Sequence, residues 1–118
     1  MAMELVIQKI VKENDKEYVL FRVEEDCNLW PFILFDATYD ENGNSSNLLR
    51  HSFIFPSQNV SRGDFVILYT GEGENAQYKN KAGTTTWTYY WGLDAHVWSN
   101  KGDEAMLVKA AEYKRYYY

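Results

Sequence analysis

Nowhere does this chain repeat apolar residues at the 3.6-residue spacing of an amphipathic helix; its apolar runs are short, and each is closed by turn-forming residues. That pattern predicts strands. Residues 5–11 read as a first strand, and the polar run KENDK at 12–16 turns the chain into a second at 18–23. Residues 32–38 follow Pro31 as a third strand. Its centre, Ile33-Leu34-Phe35, is continuous rather than alternating, as expected for burial on both sides or a packed edge. The loop 40–47 contains Asn42-Gly43, the strongest short turn signal present, and leads into a strand at 50–55 that Pro56 ends. Gly63 permits a tight turn before 65–70, the most strand-like segment. Residues 71–83 read as a long polar loop, 85–91 as a strand, 99–103 as a turn, 105–109 as a strand and 113–118 as a closing strand. About seven to eight short strands with turn signals roughly every ten residues predict an all-β fold of the β-sandwich type.

At 118 residues the chain suits a single domain, 1–118, that buries a core without a disulfide or metal. Twenty aromatic residues (Trp 4, Tyr 10, Phe 6) are incompatible with disorder, and no apolar run approaches the ~18 residues of a membrane-spanning helix, so membrane insertion is not expected. The net charge of −5 argues against phosphate backbones as a default partner, so no nucleic acid is expected. The opening residues lack the basic start, apolar core and small-residue cleavage site of a secretory leader, and a cytoplasmic location is the expectation. Cys27 has no second cysteine to pair with, and a buried, inert position is expected for it.

Chemistry is sparsely signalled. A nucleophile needs a base that a third group orients, and His51 and His96 are the only histidines. In the predicted strand at 50–55, His51 falls on the face opposite Ser52, with Phe53. No Gly-x-Ser-x-Gly elbow or Cys–His pairing accompanies either histidine. Two His and one Cys without zinc spacing give no metal site, and no cofactor is expected. The acidic run at 40–44 fails as a calcium loop because Gly43 precedes Asn44 and no Glu follows before Arg50. Gly71-Glu72-Gly73 opens no helix and cradles no phosphate. Arg62-Gly63-Asp64 spells an integrin-type tripeptide that a tight turn explains. Asn44-Ser45-Ser46 and Asn59-Val60-Ser61 are glycosylation sequons by spelling.

The order of several blocks resembles a known family. Glu17-Tyr18-Val19, the run RHSFIFP at 50–56, SRGDFVILY at 61–69 and VWSNKGDEAML at 97–107 are similar to successive blocks of the lamin tail domain. The last is the most specific, standing here as Trp98, Asn100, Gly102, Asp103 and Leu107. The resemblance, to a free-standing bacterial-type member, implies an immunoglobulin-like β-sandwich and a non-enzymatic interaction or scaffolding role. It carries over no catalytic residue, filament assembly or lipid anchor. Trp98 is expected to fill the core, with Asn100 and Gly102 at left-handed turn positions and Asp103 accepting backbone N–H bonds.

One surplus remains. Residues 87–91 hold four aromatics, with Trp87, Tyr89 and Trp91 on one face of a strand and Tyr90 on the other. A sandwich strand has one core-facing side, so Trp87, Tyr89, Tyr90 and Trp91 form the candidate interaction surface. Phe32, Phe35, Phe53, Phe55, Phe65 and Trp98 are expected in the core. A protein partner is the first reading of that surface, and a carbohydrate stacked on Trp87 and Trp91 the alternative. A small hydrolase built on His51 or His96 is the third. The strand at 113–118 could pair within the sheet or add to a neighbour's edge to give a homodimer, which Lys114 and Arg115 would discourage.

Overall fold

In the computed structural model, which describes residues 3–39, 45–98 and 103–118, the alternating segments form ten strands and no helix. In chain order they are β1 (Leu5–Glu13), β2 (Lys16–Val23), β3 (Cys27–Asn28), β4 (Phe32–Tyr39), β5 (Ser45–Ile54), β6 (Asn59–Val60), β7 (Phe65–Tyr69), β8 (Ala76–Lys79), β9 (Thr85–Tyr90) and β10 (Glu104–Lys109). Among the described residues no helix is long and apolar enough to cross a membrane.

The turn KENDK resolves into a two-residue hairpin loop. Asn14 and Asp15 have φ of 52° and 65°, the pair of left-handed residues that a type I′ turn requires and that Asn and Asp tolerate better than most side chains. β1 and β2 pair antiparallel across it, with a bulge between Ile7 and Lys9 on the outer strand. β2 continues into a five-stranded sheet of order β1-β2-β7-β9-β8. Its β7–β9 pair is parallel, because the chain leaves β7, lays down β8 one place further out and returns as β9 between the two. A second sheet has the order β10-β4-β5, and β3 and β6 form a small third.

Two-residue alternation decides what each sheet buries. Val19, Phe21 and Val23 of β2, Val66 and Leu68 of β7 and Tyr89 of β9 point inward, where they meet Phe32 and Leu34 of β4 and Phe55. The sheets face each other through edge-to-face rings, Phe21–Phe55 at 5.4 Å and Phe55–Tyr89 at 5.7 Å between centroids, and Phe53 packs edge-on against Phe55 at 5.0 Å within its own segment. Val97 and Trp98 complete the same cluster. Phe32, Phe55 and Trp98 are buried as expected, and Phe53 packs half-buried against them. Phe35 and Phe65 are not in the core. Each is one residue out of phase with a buried neighbour, Leu34 and Val66, and lies half-exposed on an outer face.

Other expectations need correction. The described residues form ten strands where seven or eight are expected, because β3 and β6 are added two-residue pieces and β8 lies inside the expected loop 71–83. Residues 113–118 form no strand. β10 pairs with β4 as far as Lys109 with Phe32, where β4 begins, so no extended partner remains for the chain beyond. The segment instead lays Tyr113 edge-on against Trp30 and Arg115 over the same indole, leaving Tyr116 and Tyr117 in solvent. Cys27 is half-buried rather than buried, and desolvation pushes its thiol pKa up. The Asn42-Gly43 turn, the calcium-like run 40–44, Asn44 of its sequon and the turn residues Asn100 and Gly102 lie outside the described residues.

Candidate functional site

Alternation along β9 sends its aromatics in opposite directions. Tyr89 is 6% exposed within the core, and burial raises its phenol pKa. Trp87 is half-buried and its Nε1 donates to Asp64 Oδ2 at 3.0 Å. Trp91, also half-buried, donates from Nε1 to the Ser52 carbonyl at 3.1 Å and packs among His51, Phe53 and Trp98. Tyr90 alone of the four is on the outer face.

There it joins residues that the sequence did not single out. The register sets Tyr18 opposite Tyr69 and Tyr69 opposite Tyr90, so three tyrosines stand side by side on β2, β7 and β9. Tyr69 and Tyr90 are stacked, 4.9 Å apart and 14° from parallel; Tyr18 tilts against Tyr69 at 5.3 Å. Burial raises the pKa of Tyr69, with the nearby phenols of Tyr90, Tyr78 and Tyr18 adding to it. Gly73 closes over the other side of Tyr90: a Cβ there would meet ring atoms Cε1, Cδ1 and Cζ closer than real Cβ atoms come. Lys16 Nζ lies 5.8 Å from the centre of the Tyr69 ring. With ring faces engaged inside the cluster, edges and hydroxyls are what it offers outward. Leu20, Phe65 and Ile67 extend the same outer face with half-buried apolar side chains.

Beside this cluster opens a cleft of about 320 Å³. Its walls are the β1–β2 turn, the end of β7 and the segment after β9, which is pinned by Leu93 N–H to Thr70 O and Gly92 N–H to Gly71 O. His96 Nε2–H reaches the Asp15 carbonyl at 3.2 Å and ties the third wall to the first. The acidic groups here divide in two. Glu17 is buried, accepts the backbone N–H of Val97 at 2.6 Å and of Trp98 at 3.1 Å, and lies 3.6 Å from Lys12 Nζ. It holds the Trp98 segment to β2. Asp15, Glu72 and Asp94 are exposed on the rim, and among the described residues none of them is in an ion pair.

The other candidates fall into structural roles. Asp64, of the integrin-type tripeptide, is 5% exposed; it accepts Thr85 N–H on Oδ1 and Ser61 N–H and Trp87 Nε1–H on Oδ2, all at 3.0 Å. Gly63 takes φ 92° in that turn. Buried Asp36 accepts the His51 N–H at 2.6 Å on Oδ1 and has Oδ2 3.2 Å from His51 Nδ1. Among the described residues neither His51 nor His96 is hydrogen-bonded to a Ser, Thr or Cys side chain, and no three His, Cys, Asp or Glu gather closely enough to hold a metal ion. Tyr18 and Tyr69 fall on outer faces once neighbouring strands set the phase of YVLFRV and FVILY, and meeting Tyr90 depends on a register that joins residues tens of positions apart. Set beside family models, curated proteins and solved structures, the chain matches none.

Proposed function

We propose that this chain is a non-enzymatic interaction module, an immunoglobulin-like sandwich of the lamin-tail kind, that binds a protein partner through the tyrosine-lined cleft. Two sheets facing each other across an aromatic core support the sandwich. The observation that carries the binding role is the cleft's composition: a packed tyrosine cluster flanked by three rim carboxylates without an ion-pair partner among the described residues, which outnumber the lysine that lines it, Lys16. Tyrosine provides large contact area at low entropic cost, and these three already pack against one another, with Gly73 close against Tyr90. Charge complementarity defines the occupant as a segment carrying Arg or Lys beside apolar side chains. Asp15, Glu72 and Asp94 attract the cations, and Leu93 and the tyrosine edges receive the rest.

Calorimetric titration with a short acetylated peptide alternating Arg with Leu tests this. Binding with a Kd on the order of 10–100 μM is expected, weakening as salt rises. The counterpart with Glu in place of Arg should not bind, and the double variant Glu72→Lys/Asp94→Lys should reverse the preference. Equal affinity for the two peptides, or indifference to the charge reversal, would reject the cleft as the site.

A further inference from the structure

A second concavity, which does not share the cleft's acidic rim, lies at the β8 edge of the five-stranded sheet. It is a groove of about 360 Å³ between residues 56–58 and strands β8 and β9. Among the described residues no charged one lines it, although a quarter of the chain is charged. Its lining includes Trp87 and Pro56 and the polar residues Ser57, Gln58, Asn75 and Gln77.

Hydrogen-bonding capacity in this groove is only partly used. Asn75 accepts the Tyr90 N–H on Oδ1 at 3.0 Å, which leaves both of its amide protons. Gln58 donates from Nε2 to the Asn59 carbonyl at 3.1 Å, and among the described residues its side-chain Oε1 accepts no hydrogen bond. Ser57 accepts from Asn28 Nδ2 at 3.1 Å and keeps its hydroxyl proton. Among the described residues the Gln77 side chain makes no hydrogen bond, so both donors and its acceptor remain. Trp87 is fixed by its bond to Asp64, so one aromatic wall is held in place before any ligand arrives.

We infer that this groove binds a neutral carbohydrate. A sugar hydroxyl donates and accepts at once, and side-chain amides are the groups that answer both ways. The C–H face of a pyranose is apolar enough to lie on an indole. An ionic ligand would find no counter-charge here, and a purely apolar one would leave the amides without partners, at a cost for each. An extended peptide added to the edge would use the main chain of β8, not the side chains of Gln58 and Gln77. The inference is independent of the cleft, since none of Asp15, Glu72 and Asp94 lines the groove.

The test is an NMR titration of the ¹⁵N-labelled chain with neutral cello-, xylo-, malto- and chito-oligosaccharides and with one uronate-bearing oligomer. At least one neutral member should shift the side-chain amide signals of Gln58, Asn75 and Gln77 and the Trp87 indole N–H. Gln58→Ala and Gln77→Ala should each weaken it roughly tenfold without changing the melting temperature, and Glu72→Lys should leave it unchanged. Trp87→Ala is avoided because that indole also packs against the core. Silence across the panel at about 10 mM, shifts that survive both glutamine variants, equal binding of the uronate, or shifts confined to the β8 main chain on adding an extended peptide would each overturn the inference.

Discussion

At Glu17 a carboxylate with no solvent exposure accepts two backbone N–H groups from a segment eighty residues away. Removing it strands both donors, so Glu17→Ala should cost about 2–4 kcal/mol in denaturant unfolding. Its ionic partner behaves differently. Lys12 is 41% exposed, solvent screens the pair, and Lys12→Ala should fall within about 1 kcal/mol of the parent. Tyr89 supplies a pH signature. Burial raises its folded-state pKa, so the unfolded chain gives up that proton first. Stability held below about pH 10 is then lost as pH rises through the folded value. Thermal melts across that range should show a fall that Tyr89→Phe reduces; Tyr69 contributes in the same sense. Gly73 lets the loop approach the ring of Tyr90, which lines the cleft, more closely than any side chain would allow. Gly73→Ala should displace the Tyr90 ring and weaken the Arg/Leu peptide, measured by the same titration, at a smaller cost in stability than Glu17→Ala.

Between β1 and β2, stability and binding pull apart at a single position. Asp15 sits at φ 65° in the hairpin turn and also on the cleft rim, so Asp15→Gly relieves a left-handed side chain while removing a carboxylate. Unfolding should show a gain of up to about 1 kcal/mol, and peptide titration a loss of affinity. How far the sequence spoke at this scale depends on how locally each element is determined. The KENDK turn was legible because Asn14 and Asp15 carry their own preference for left-handed backbone. The strands flanking Pro31, Pro56 and Gly63 were legible from alternation and punctuation. β8 was not, since AQYK is short, exposed throughout and held by pairing with β9 and not by an apolar pattern of its own. The faces of Phe35 and Phe65 are not legible in the sequence, because a continuous apolar run has no phase until a neighbouring strand sets one. Glu17, Asp36 and Asp64 gave no local sign of burial, because the groups they bond come from distant segments.

Across the whole molecule, the two faces of the five-stranded sheet divide the labour. The inner face carries the rings that meet β4 and the end of β5, and the outer face presents Tyr18, Tyr69 and Tyr90 next to the acidic rim. The surplus of aromatics along β9 is divided in the same way. Trp87, Tyr89 and Trp91 brace the interior and its margins, while Tyr90 belongs to a surface whose other members come from two other strands. An assignment of the interaction surface to β9 alone could not show this, because only the sheet order brings Tyr18 and Tyr69 to it. The most direct measurement of the central claim is a backbone amide NMR map of the Arg/Leu peptide bound to the parent chain and to the Glu72→Lys/Asp94→Lys variant. Shifts concentrated at residues 14–18, 69–73 and 90–96, and lost in the variant, are predicted; shifts centred elsewhere, or unchanged by the variant, would contradict it.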